Sequence, residues 1–120
     1  MQHVFELTIS FTFEQVGQFG ERSGDNGAVH SVDGIVQGGF ILSMLPKWLV
    51  TVIEQNNIRR LPKAVSIILE SKFRNKLESG KNVIVCFELE SLSGSLSKIN
   101  WRIFDSEKEY CSGKWIIHKS

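Results

Sequence analysis

The chain is short of cysteine, proline and charge of one sign, and it has no long apolar run. Its two cysteines, Cys86 and Cys111, stand apart with no CxxC and no metal-ligand spacing. That excludes a zinc signature and a disulfide framework, and it reads as reduced core thiols in a cytoplasmic protein. With only two prolines and no repeat there is no low-complexity tract. A formal net charge of +1 excludes the field that nucleic acid or an anionic membrane surface would call for. No stretch approaches the ~20 apolar residues of a membrane span. The opening Met1-Gln2-His3-Val4-Phe5-Glu6 lacks the basic start and apolar run of a signal peptide.

What is present is ordinary globular patterning over 120 residues, expected to form one domain, 1–120. Phe5, Leu7, Ile9 and Phe11 alternate with Glu6, Thr8 and Ser10, which predicts a half-buried strand. Thr12-Phe13-Glu14-Gln15 reads as a capping box opening a short helix, with Phe13, Val16 and Phe19 at helical spacing and a stop near Ser23-Gly24. From Ser23 to Gly39 periodicity is lost and glycine recurs, so this segment is expected to be a long loop of the kind that carries function. A strong helix follows over Gly39–Asn56, with Phe40, Ile41, Met44, Leu45, Trp48, Leu49, Val52 and Ile53 on its apolar side and Pro46 expected to kink it. The rest alternates in four runs, centred on Ile67–Arg74, Val83–Glu90, Ile99–Ile103 and Cys111–His118, separated by turn compositions. The order predicts an α+β domain: an antiparallel sheet of about five strands wrapped around one long central helix.

The stretch that carries chemistry is Ser23-Gly24-Asp25-Asn26-Gly27-Ala28-Val29-His30. It places a carboxylate and an imidazole in a glycine-rich loop after a helix end. Gly38-Gly39 then opens the long helix, whose first N–H groups lack intrahelical partners and carry positive partial charge. An acid, a base and an oxyanion site are what reversible dehydration of a 3-hydroxyacyl thioester requires. An isolated Asp…His pair, by contrast, reads as a turn cap and a surface residue.

The segment resembles the MaoC-like dehydratase family, which includes the R-specific enoyl-CoA hydratases and is marked by a short helix followed by S-G-D-x-N-x-x-H. Ser23, Gly24, Asp25 and His30 match in type and spacing. Ile35-Val36-Gln37-Gly38-Gly39-Phe40 is similar to the family's approach to the central helix, and weaker similarities at Lys72-Phe73-Arg74, Ser79-Gly80-Lys81 and Cys111–Trp115 extend the likeness over nearly the whole chain. The resemblance implies a hot-dog fold and a hydro-lyase of fatty acid metabolism, with Asp25 and His30 as the catalytic pair and the amide at or next to Gly39 as oxyanion donor. It also implies Gly38, Gln37, Asn26 and Ser23 as substrate-binding residues, and a homodimer with sites near its interface. The substrate is then an acyl thioester on coenzyme A or an acyl carrier protein, with no cofactor beyond that carrier and no metal.

The sequence departs from the pattern in three places. Gly27 stands where the family has Asn, Gln37 where it usually has His, and the link from His30 to Gly38 is shorter than in typical members, which implies a more open site or a short or unusual acyl chain. Two other readings stay open: a hot-dog thioesterase, and a non-catalytic subunit that binds acyl groups or a partner. Arg59-Arg60-Leu61-Pro62-Lys63 is a basic patch that suits a solvated loop or the phosphates of coenzyme A. Lys72, Arg74 and Lys76 read as a solvent face, and His3 and His118, near the chain ends, receive no role.

Overall fold

The computed structural model describes residues 3–56, 65–91 and 96–118, so the basic patch at 59–63 lies outside the described residues. The opening alternation forms β1 (His3–Ile9), with Glu6 and Thr8 exposed and Phe5, Leu7 and Ile9 turned toward the core. The capping box is present as read. The Gln15 amide donates to Thr12 Oγ1 at 3.0 Å and the Thr12 amide to Gln15 Oε1 at 2.9 Å, opening α1 (Phe13–Ser23). The helix ends on Gly24, whose φ of 81° lies in the left-handed region that a residue without Cβ adopts at least cost.

The segment expected to be an aperiodic loop contains a four-residue helix, α2 (Ala28–Ser31). The Gly27 carbonyl nucleates it, accepting from the His30 and Ser31 amides at 2.9 and 3.0 Å. One turn is too short to show a period in the sequence. The long helix α3 (Gly38–Gln55) begins one residue earlier than expected and runs on through Pro46, whose residue is exposed. Its Ile41, Leu45, Trp48, Leu49 and Val52 are buried.

The second half forms β2 (Val65–Phe73), β3 (Val83–Ser91), β4 (Leu96–Phe104) and β5 (Glu109–His118). All pairings are antiparallel, and the five strands lie in the order β1-β3-β4-β5-β2. The register aligns Phe87 with Trp101 and Trp101 with Gly113, which puts Val85, Phe87, Ile99, Trp101, Ile103 and Cys111 on one face, buried in one core with the apolar side of α3. Gly113 is where the large indole of Trp101 fits: a Cβ there would collide with the ring and with the Glu70 carbonyl. On the opposite face the charges are paired and partly wet, with Arg74 and Arg102 on Glu109 at 3.1 and 3.8 Å and Lys114 on Glu70 at 3.8 Å. Lys72, Arg74 and Lys76 are exposed, as read.

A register shift between Ile103 and Phe104 lets Tyr110 as well as Cys111 enter the core. Both cysteines are free thiols, and burial, reinforced by the charge of Glu109, pushes Cys111 up to about 12. The Tyr110 hydroxyl donates to Asp105 Oδ2, while Asp105 Oδ1 accepts from the amides of Glu107 and Lys108 at 2.9 and 3.0 Å. The Tyr110 hydrogen bond, followed by those two amides and Lys81, holds the Asp105 carboxyl at about 2. A depressed carboxyl contributes its stability above the unfolded value of 3.8 and loses it as pH falls toward about 2. Thermal unfolding followed from about pH 5 downward is therefore expected to show the wild type losing more than Asp105→Asn, the two converging at the acid end.

Candidate active site

Asp25 comes directly after the left-handed cap of α1. Its amide donates to Ser23 Oγ at 3.2 Å, and that hydroxyl donates to the Phe19 carbonyl at 2.7 Å, so the end of α1 braces the start of the loop. His30 lies on α2. Its Nε2 stands 3.3 Å from Asp25 Oδ1, and its Nδ1 stands 2.6 Å from the Ile35 carbonyl. The structure thus brings together the two residues singled out from their spacing.

The tautomer follows from the partners. A carbonyl oxygen only accepts, so Nδ1 carries a proton and Nε2 faces the carboxylate. Nε2 therefore meets Oδ1 as a lone-pair acceptor when the ring is neutral and as a charged donor when the ring is protonated. The Asp25 side chain is 54% exposed and the His30 side chain 20%, which leaves the pair open to a ligand from solvent. Ile35 is itself fixed. It bridges Glu78, while the Val36 amide donates to the Leu77 carbonyl at 2.8 Å and the Ser79 amide to the Gly34 carbonyl at 2.8 Å.

The other half of the site is the start of α3. Among the described residues no side chain caps this helix. The amides of Gly38 and Gly39 therefore point out of an uncompensated N-terminus, where a developing negative charge is stabilised. The Phe73 ring lies against Gly38, and the Phe19 ring lies against Gly39 and stacks on Phe40 at 4.8 Å. A side chain at either glycine would therefore meet a phenyl ring.

No protein-family model and no curated protein matches the sequence. Solved structures do. The chain superposes on the (R)-hydratase from A. caviae involved in PHA biosynthesis with a TM-score of 0.74 at 15% identity, over 98% of this chain and 95% of the other. R-hydratase PhaJ1 from Pseudomonas aeruginosa gives a TM-score of 0.66 at 20% identity, over 99% and 81%. The fluoroacetyl-CoA thioesterase FlK gives 0.73 at 15% identity, over 98% and 85%.

The chain adopts the hot-dog fold.

Within this hot-dog domain the remaining expected site residues fall into two groups. Gly38 and Gly39 line the helix start, and Asn26 is exposed beside Gly20. Gln37 is a correction: expected to bind substrate, it is fully buried. Its Nε2 donates to the Val16 carbonyl at 2.9 Å and the Asp25 carbonyl at 3.1 Å. Ser23 is exposed, but its hydroxyl is already committed to Phe19 and Asp25. Sequence reasoning missed the Ile35 carbonyl, because a backbone acceptor leaves no mark in residue type. It also read Phe19 only as part of a helical apolar stripe.

Among the described residues no group of three or more His, Cys, Asp or Glu is placed to hold a metal ion. None of their helices is long and apolar enough to cross a membrane. A groove of about 470 Å³ lies elsewhere, among Glu70, Lys72, Arg74, Arg102 and Lys114. It contains none of the pair, and three of its four cations are bound to Glu70 or Glu109.

Proposed function

We propose that this hot-dog domain is a MaoC-like hydro-lyase that interconverts 3-hydroxyacyl and trans-2-enoyl thioesters. The observation that carries the reading is the Asp25–His30 contact at 3.3 Å, with the far imidazole nitrogen held by Ile35. A carboxylate and an imidazole in contact can divide the proton transfers, one taking a proton from water and the other releasing one. In the hydration direction, water adds to C3 as it loses a proton to the pair, and the pair delivers a proton to C2. The pair ends as it began, and the substrate gains one water. The electron pair displaced from the C2–C3 double bond moves onto the thioester oxygen, where the Gly39 amide, with Gly38 beside it, receives the charge. A transfer by a positioned acid or base is typically worth about 10²–10⁴-fold, and one oxyanion donor about 10²–10³-fold.

The thioester is carried on coenzyme A or on the phosphopantetheine of an acyl carrier protein, and no further cofactor is needed. We also propose a homodimer. The outer edges of β1 and β2 have no neighbouring strand among the described residues, and pairing with a second copy covers an edge and closes an acyl groove. Two free thiols fit a cytoplasmic setting.

The similarity to a thioesterase of the same fold supports a second reading, in which Asp25 directs water at the thioester carbonyl and coenzyme A leaves. The two readings separate on one pair of assays with the purified protein. Hydration consumes the conjugated enoyl-thioester absorbance without releasing thiol. Thiol release from a saturated acyl-CoA, with the enoyl absorbance unchanged, replaces the hydratase reading by the thioesterase one.

A further inference from the structure

We propose that Gln37 is a positioning residue that sets the Asp25–His30 pair against the donor amides of α3; the proposal rests on the hydratase reading above. Gln37 occupies the position immediately before the first helical residue, Gly38, and its carbonyl accepts the Ile41 amide at 3.1 Å. Its backbone is therefore part of the same rigid turn that presents the oxyanion donors. Its side chain reaches the other way. Both protons of Nε2 are used, one on the Val16 carbonyl of α1 and one on the Asp25 carbonyl. The amide has one sensible orientation, since turning it over would set Oε1 against two carbonyl oxygens.

The Asp25 backbone is held from both sides. Gln37 binds its carbonyl from α3, and Gly20 of α1 lies so close that a Cβ there would sit 3.0 Å from that oxygen. The Asp25 carboxylate, by contrast, is more than half exposed and has His30 as its partner. Its position is thus inherited from the backbone, and the side chain that fixes the backbone to the oxyanion turn is Gln37. The second observation concerns the other half of the amide. Gln37 Oε1 is buried and has no hydrogen-bond partner among the described residues. An amide serving as a two-pronged donor to Val16 and Asp25 gains both bonds.

The test uses the full chain and compares Gln37→Leu and Gln37→Glu with the wild type, at a temperature where circular dichroism shows each folded. For Gln37→Leu, kcat for enoyl-CoA hydration is expected to fall on the order of 10²-fold, as for an ångström-scale misplacement, with KM moving less than about threefold. For Gln37→Glu, the ratio of its kcat to the wild-type value is expected to rise as pH falls, because the introduced carboxyl donates to a carbonyl only when neutral. A kcat within about threefold of wild type in folded Gln37→Leu overturns the proposal. So does a rise in KM alone, which would mark a direct substrate contact. If the leucine variant does not fold, a ratio for Gln37→Glu that stays flat with pH overturns it. If the wild type hydrates nothing, the hydratase reading has failed on its own. The positioning claim is then judged by the amide resonances of residues 24–31: a shift in the Gln37 variants supports it, and an unchanged set overturns it.

Discussion

Asp25→Asn and His30→Ala are each expected to lower kcat for enoyl-thioester hydration by about 10²–10⁴-fold with KM nearly unchanged, and Asp25→Asn to leave the unfolding midpoint nearly unchanged. The expectation follows from where the pair sits. Asp25 is exposed, the His30 side chain is mostly covered with 20% exposed, and neither belongs to the hydrophobic core. Their loss therefore removes proton transfer while leaving the packing intact. Asparagine keeps the size of Asp25 and a polar contact to His30 but cannot exchange a proton. Alanine at position 30 removes both the imidazole and the link to the Ile35 carbonyl. Because the two side chains are in contact and act on the same proton transfers, their effects are not additive. The double variant is expected to lose little more than the more damaging single variant loses, as for residues that act as a unit. Steady-state kinetics on the three proteins, with circular dichroism as the folding control, checks this. Strictly additive losses would mean that the two residues act in separate steps.

The largest effect on stability is expected at Trp101. It is 1% exposed, pairs with Phe87 across β3 and β4, and covers the strip of β5 where Gly113 has no side chain. Trp101→Ala leaves a cavity that the glycine opposite cannot refill, and is expected to cost about 3–5 kcal/mol. That is a large part of the roughly 5–15 kcal/mol that holds a domain together. Trp101→Phe is expected to cost much less. The phenyl ring keeps most of the contact, and the substitution removes a buried indole N–H that has no partner among the described residues. Urea unfolding of both variants measures the difference in midpoint at constant slope. Equal destabilisation by Ala and Phe would show that the indole N–H, rather than the volume, matters at this position.

These two sites differ in how far the sequence exposes them. Asp25 and His30 are legible because a left-handed glycine cap, a capping box eleven residues of helix earlier, and a fixed carboxylate-to-imidazole spacing all lie within one short segment. The strands and α3 are legible because their apolar residues keep a period over many turns or pleats. The strand order is not, since alternation tells which face a residue joins and not which strand lies beside it. Helix α2 escapes because one turn has no period. The inward turn of Tyr110 escapes because a register shift against β4 decides it. Gln37 reads from sequence, through the family resemblance, as a substrate-binding residue. Its partners are the carbonyls of Val16 and Asp25, distant in the chain and silent in residue type, so only the fold reveals it as a strut.

The account stands on the claim that water is added across C2–C3 of a thioester that stays intact. The most direct measurement incubates the wild-type protein with a short trans-2-enoyl-CoA in water enriched in oxygen-18 and follows the acyl-CoA by mass spectrometry. The predicted result is one oxygen-18 in a 3-hydroxyacyl-CoA, formed at a rate that Asp25→Asn abolishes. Oxygen-18 in a free carboxylate with released coenzyme A, or no labelled product over several chain lengths on either carrier, would contradict it.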